Sequence, residues 1–273
     1  MQTINSNTQK DYYLKFIENT FSDWEKLGYC PDAKKINENI GYEYFGITNP
    51  HFFTGDLDSD LVLIHLNPKR DLDPKNNVYP KFSAKESGFS KFEEYINYYS
   101  NFGKINYGLK SNRKHKSPFD HKQIRFLKPF KLIPLENSDR FLNLENVIDR
   151  KLQLELIPFG SNEFNFRKVG LSNLKSYIEL ILMLILCHNR KYVIFCGTVF
   201  RDILKDYIIE QNRITFKLKK KDGQETKNEF EIVNIIISVN GQNLNCAIAP
   251  QFAKQGYPVE EYGLKIKSLY GKF

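Results

Sequence analysis

Three short turns carry the residues most able to do chemistry: Asn67-Pro68, Glu155 shortly before Pro158, and Ala249-Pro250-Gln251. Each follows an apolar run, so each turn sits where a buried element ends. A side-chain amide at such a point can orient a water or read a ligand edge, because it carries donors and an acceptor together. A carboxylate such as Glu155 only accepts hydrogen bonds at neutral pH, unless desolvation keeps it protonated. Asp71 and Asp73 follow Asn67 closely. They are either a general base beside the reacting centre or the surface charges of a lysine-rich loop. His65 alternates opposite Leu66 and reads as a core histidine. No histidine and cysteine set has zinc spacing, and no Gly-rich run with a lysine suggests a P-loop. Neither a metal nor a cofactor is expected.

The elements that must position these turns follow from hydrophobic patterning. Leu61 to Ile64 is short, apolar, partly β-branched and bounded by turn formers, which reads as a buried parallel strand. Pro68 cannot extend a central strand and biases Asn67 towards extended geometry, so Asn67 belongs at the carboxyl end. Ligands bind at that end in open α/β sheets. Residues 151–158 give a second strand and residues 191–196 a third, broken by Gly197. Between them lies an apolar helix over 171–189, with Ser172 as its N-cap. A helix over 198–212 follows. Residues 213–219 and 229–238 then flank KKDGQETKN as a hairpin or a long β-arm, and 242–249 is a strand stopped by Pro250. A helix from Val259 to Tyr270 closes the chain. At the start, Tyr13, Ile17, Phe21 and Trp24 share one face of a helix over 9–29. Residues 40–59 read as short strands or an ordered loop, 69–87 as a long irregular segment and 89–102 as a surface helix. The expected fold is α/β, a three-layer α/β/α arrangement around a central, mostly parallel sheet. A single domain over 1–273 would carry an N-terminal helical extension at 1–39 and a β-hairpin insertion.

The composition is that of an ordinary globular chain, 41% hydrophobic and 26% charged. The apolar stretch from Leu180 to Cys187 is too short to cross a bilayer, and the first residues lack the apolar core of a secretory signal. A cytoplasmic protein with no membrane partner is expected. Cys30, Cys187, Cys196 and Cys246 are scattered without the close pair an iron–sulfur cluster usually takes. The net charge of +8 and pI near 9.1 favour a polyanionic partner. Lys104 to Lys131 holds nine basic residues against one acid, Asp120, interleaved with His115, His121, Phe119, Phe126 and Phe130. This is either a phosphate-tracking surface with stacking side chains or a solvated basic loop and edge strand.

Taken together, LVLIHLNPK, LQLELIPFGS, YVIFCGTVFRDIL and NCAIAPQFAKQGYP resemble, over roughly residues 40–270, the uracil-DNA glycosylase superfamily. The mismatch-specific and single-strand-selective branches are nearest. The resemblance implies an enzyme that flips a nucleotide from DNA and hydrolyses its N-glycosidic bond. It places Asn67 at the water-positioning point, and Asp71 or Asp73, close behind in the sequence, would help as a general base near the sugar. Glu155 falls where the base edge is read, Tyr79 or Phe82 would stack the base, and Gln251 would stand in for a missing donor. Lys69, Arg113, Lys114, Lys116, Lys122, Arg125 and Lys254 would contact nucleic acid. The sequence departs from the family pattern in all three turns: Lys69 replaces a glycine, Glu155 an asparagine, and Ala249 a histidine or asparagine. An alternative follows: a catalytically reduced module of the same fold that binds nucleic acid or a nucleotide, in a defence or mobile-element system. A third reading, an α/β protein of such a system whose partner is another protein, predicts no affinity for nucleic acid.

Overall fold

The structure, a computed structural model, describes residues 6–110, 117–135, 139–220, 222–251 and 259–270. In chain order the elements begin with α1 (Ser6–Leu27), α2 (Pro31–Ile40), β1 (Phe53–Gly55) and β2 (Leu61–His65). Next come α3 (Phe92–Ser100), α4 (Phe102–Tyr107), α5 (Pro118–Leu127) with a 3-10 turn at Lys128–Phe130, and α6 (Arg140–Arg150). Then follow β3 (Leu152–Glu155), α7 (Phe166–Val169), α8 (Leu171–Leu186), β4 (Tyr192–Cys196) and α9 (Phe200–Ile203). The chain ends with β5 (Ile208–Lys219), β6 (Glu225–Val239), β7 (Gln242–Ala249) and α10 (Val259–Leu269).

The fold is α/β, built on a seven-stranded mixed sheet in the order β1-β3-β2-β4-β7-β6-β5. β4 pairs in parallel with β2 and with β7, in registers Ile64↔Phe195 and Cys196↔Ala249. β5, β6 and β7 run antiparallel, so the expected hairpin is a long ribbon continuing the sheet. Every residue of β2 is buried, which is what a strand with no polar face requires. No helix of the described residues is long and apolar enough to cross a membrane.

The chain divides into two compact units: Met1–Phe53, His65–Tyr99 and Leu154–Asn189 form one, and Thr54–Ile64, Ser100–Gln153 and Arg190–Phe273 the other. In the first, α1 packs on α8, with the Phe16 ring edge-on to Tyr177 at 5.9 Å. Tyr13, Ile17, Phe21 and Trp24 are all buried, so α1 is part of this unit's core. In the second, Leu61, Leu63, Ile194, Cys196 and Ala247 form one sheet face, covered by Phe126, Phe130, Val147, Val259, Tyr262 and Ile266.

Several elements differ from the sequence reading. Among its described residues the basic segment forms no edge strand but the end of α4, then α5 and the 3-10 turn. Ser117 Oγ accepts from Asp120 N at 3.2 Å and Pro118 opens the first turn, a standard helix start. α2 and α6 were not anticipated. Gly170, not Ser172, occupies the N-cap of α8, and Ser172 lies inside the helix. The helix over 198–212 is only the short α9. The chain from Ile208 is instead drawn into β5 by pairing with β6, beginning at Ile208↔Ile237. Helical periodicity loses there to a strand partner 29 residues away.

Candidate functional site

Beyond the ends of β2 and β3, the first unit continues the backbone ladder through irregular chain. Leu156 N donates to His65 O at 2.8 Å, Ile157 N to Leu66 O at 2.9 Å and Ser161 N to Pro68 O at 3.1 Å. Arg70 N returns a bond to Ser161 O at 3.0 Å. On the other flank Glu155 N donates to Phe52 O at 3.0 Å, His51 N to Pro158 O at 2.8 Å and Gly46 N to Gly160 O at 2.9 Å. Residues 155–161 therefore lie between 46–52, running opposite, and 65–70, running alongside. Two of the three turns singled out from the sequence, Asn67-Pro68 and the one after Glu155, are held side by side.

Asn67 is half-buried, and its amide nitrogen is fully committed. Nδ2 donates to Ser161 Oγ at 2.8 Å, to Pro68 O at 3.0 Å and to Phe159 O at 3.3 Å. The two carbonyl oxygens only accept, which fixes the orientation of the amide. Ser161 Oγ donates its own proton to Glu163 O at 2.5 Å, so it too receives from Asn67. With the nitrogen turned inward, Asn67 Oδ1 is the free acceptor, and among the described residues nothing donates to it.

Arg70, three residues on, was given no role by the sequence. Its Nη1 donates to Thr48 O at 2.6 Å, and Nη2 reaches Thr48 Oγ1 at 3.3 Å and also Pro80 O. Two glycines make room for it. A Cβ on Gly160 would lie 2.6 Å from Arg70 Cβ, and one on Gly46 would lie 2.7 Å from Arg70 Nη1. Neither glycine has a left-handed backbone; a side chain at Gly160 would meet the root of Arg70, and one at Gly46 would displace its guanidinium. Burial disfavours the charged guanidinium and holds its pKa below the usual arginine value. Thr48 also ties in the next loop: its Oγ1 accepts from Phe82 N at 3.3 Å. The Phe82 backbone is further anchored by Trp24 Nε1, which donates to Phe82 O at 2.9 Å, while the residue stays 46% exposed. Beside Thr48, Asn49 holds φ 55, and its buried Oδ1 accepts no hydrogen bond among the described residues.

The other expected site residues fall in different places. Lys69 and Asp71 are exposed and paired with each other at 3.2 Å. Asp73 shapes a turn, its carboxylate accepting from Lys75 N at 2.8 Å and its carbonyl from Asn77 N at 2.8 Å. Tyr79 is buried, with its hydroxyl accepting from Asn162 N at 3.0 Å, so it braces the loop after β3. Glu155 is buried at the end of β3, and after burial its charge is the next cause pushing the Tyr13 phenol up. In the second unit Ala249 is fully buried, its carbonyl accepting from Gly197 N at 2.7 Å, and Gln251 is exposed. Lys122 is half-buried and Arg125 exposed on α5. Arg113, Lys114, Lys116 and Lys254 lie outside the described residues. Among the described residues no group of three or more His, Cys, Asp or Glu side chains could hold a metal ion.

Comparison with protein-family models, with curated proteins and with solved structures found no match.

Proposed function

We propose that the chain is a divergent uracil-DNA-glycosylase-like protein, hydrolysing the N-glycosidic bond of a nucleobase turned out of the DNA stack. The observation that supports this is the orientation of Asn67. Its nitrogen is spent on Pro68, Phe159 and Ser161, which leaves Oδ1 to accept one O–H of a water. That bond would aim the water's lone pair at the sugar C1′. As the C1′–O bond forms, the C1′–N bond breaks and the base departs with the bonding pair. The water's second proton passes to solvent or to the base. Turning the base out of the stack is what gives the water access to C1′, and positioning of this kind is a large part of such catalysis.

The test is base release from a panel of uracil- and damage-containing oligonucleotides, single- and double-stranded. Asn67→Ala should lower release by on the order of 100-fold with an unchanged far-UV spectrum. If the wild-type protein frees no base from any member, the enzymatic reading is lost. The second reading, a nucleic-acid- or nucleotide-binding module without catalysis, is favoured by Ala249. The resemblance calls for a histidine or asparagine at this position, and alanine offers no side-chain donor for a base anion. Tight binding without release would select it.

A further inference from the structure

The guanidinium of Arg70 is a positive charge placed in a built cradle and, among the described residues, given no carboxylate in direct contact. Thr48 O, Thr48 Oγ1 and Pro80 O hold it, and all three are neutral. Among the described residues no carboxylate lies within ion-pairing distance of it. Glu43 acts on it only at longer range, and that carboxylate sits 3.8 Å from Lys81 Nζ. A half-buried cation held by neutral oxygens alone is costly, because its attraction to an opposite charge is missing while its desolvation remains. An arginine needed only to staple three loops could be replaced by a neutral donor at lower cost. The same Thr48 that grips Arg70 also fixes the backbone of Phe82, whose ring is exposed. A fixed cation and an accessible ring therefore share one anchor.

We propose that Arg70 and Phe82 form a nucleotide subsite, with a phosphate oxygen on the guanidinium and a base face on the ring. Arginine is suited to this, since its planar fork matches phosphate geometry, and aromatic rings stack any base. Thr48 O takes Nη1, and Thr48 Oγ1 and Pro80 O take Nη2, which fixes the guanidinium plane; among the described residues nothing accepts from Nε. The inference rests on the reading of the Asn67 loop as a nucleic-acid site, and it names the part of the ligand that loop would hold. The phosphate could come from a free mononucleotide or from the backbone of a single strand.

Binding of thymidine, thymidine 5′-monophosphate and a thymidine hexanucleotide to the full chain, at constant ionic strength, tests the proposal. The monophosphate should bind at least tenfold more tightly than the nucleoside, and Arg70→Gln should erase that difference. Phe82→Ala should weaken nucleoside and nucleotide alike. A hexanucleotide that binds more tightly than the monophosphate, with the same loss in Arg70→Gln, assigns the phosphate to a strand; the reverse order assigns it to a free nucleotide. Equal binding of nucleoside and monophosphate, or a preference that survives Arg70→Gln, overturns the proposal. Should Arg70→Gln not fold, the wild-type protein decides. Arginine modification by phenylglyoxal, mapped by mass spectrometry, should be slowed at Arg70 by inorganic phosphate and by the monophosphate, but not by thymidine. An Arg70 that never reacts, or reacts at one rate throughout, is not an anion site. Base release measured on the same preparation keeps the two ideas apart. Nucleotide binding without release counts against hydrolysis only, and release indifferent to Arg70 counts against the subsite only.

Discussion

Asparagine and aspartate are nearly the same size, yet the surroundings of Asn67 Nδ2 separate them. An aspartate would press a carboxylate oxygen against Pro68 O and Phe159 O, which only accept. Alanine merely withdraws the donor. Asn67→Asp should therefore be less stable than Asn67→Ala by about 1–3 kcal/mol in urea unfolding at pH 7. The gap should narrow near pH 4, where a protonated carboxyl can donate. Equal stabilities at pH 7 would mean that the Asn67 amide does not hold the two carbonyls in solution. Asn67 was legible in the sequence because Pro68 marks a strand end within two residues. Arg70 was not, because its meaning comes from Gly46, Thr48, Pro80 and Gly160, which only the folded ladder brings to it. Ser161 is hidden for the same reason.

At the scale of elements, the second unit contains a group of buried polar side chains around α4, α5, α6 and the start of β3. Lys151 is fully buried, and its Nζ donates to Gln153 Oε1 at 3.1 Å. Gln123 Nε2 bridges Gln153 Oε1 and Asp120 Oδ1, each at 3.2 Å, and Tyr107 donates its hydroxyl to Asp120 at 2.6 Å. Asp149, at the end of α6, caps α4 by accepting from Gly103 N at 2.6 Å and Lys104 N at 2.7 Å. Desolvation outweighs these two bonds and lifts its carboxyl to about 6 from the ordinary 3.8. A carboxyl whose pKa rises on folding favours the folded state when protonated. Its contribution is full below 3.8 and lost as pH rises through about 6. Asp149→Asn should flatten the pH dependence of unfolding free energy across that window. An unchanged slope would assign the dependence to other groups. Elements were legible where patterning was one-sided, as in LVLI of β2 and YVIFC of β4. α5 was obscured because Lys122, Arg125 and Lys128 interrupt the buried Phe126, Leu127 and Phe130, and charge dominated the reading. Ser117-Pro118 with Asp120 was the local signal for a helix start there, as Pro31 was for α2.

For the molecule as a whole, a net charge of +8 predicts that any nucleic-acid affinity falls with salt. Of the residues in 104–131 named from the sequence as nucleic-acid contacts, Lys122 and Arg125 on α5 are the described ones. Replacing both with glutamine should reduce the slope of log binding constant against log salt by about one to two. A slope that does not move would return α5 to a plain solvated surface. The alternation of strands and helices made the α/β class readable from the sequence, since apolar runs with turn formers behind them survive any rearrangement of loops. The order of the strands was not readable, because nothing local to β3 says that it sits between β1 and β2.

That position of β3 has a consequence for how the site can change over generations. Residues 155–161 are stitched on both flanks, to 46–52 and to 65–70, by main-chain bonds that ignore side-chain identity. Side chains at 69 or 71 are thus open to drift, whereas inserting or deleting one residue in any of the three stretches would unpick its neighbours. Homologous chains should vary here in spelling and not in length.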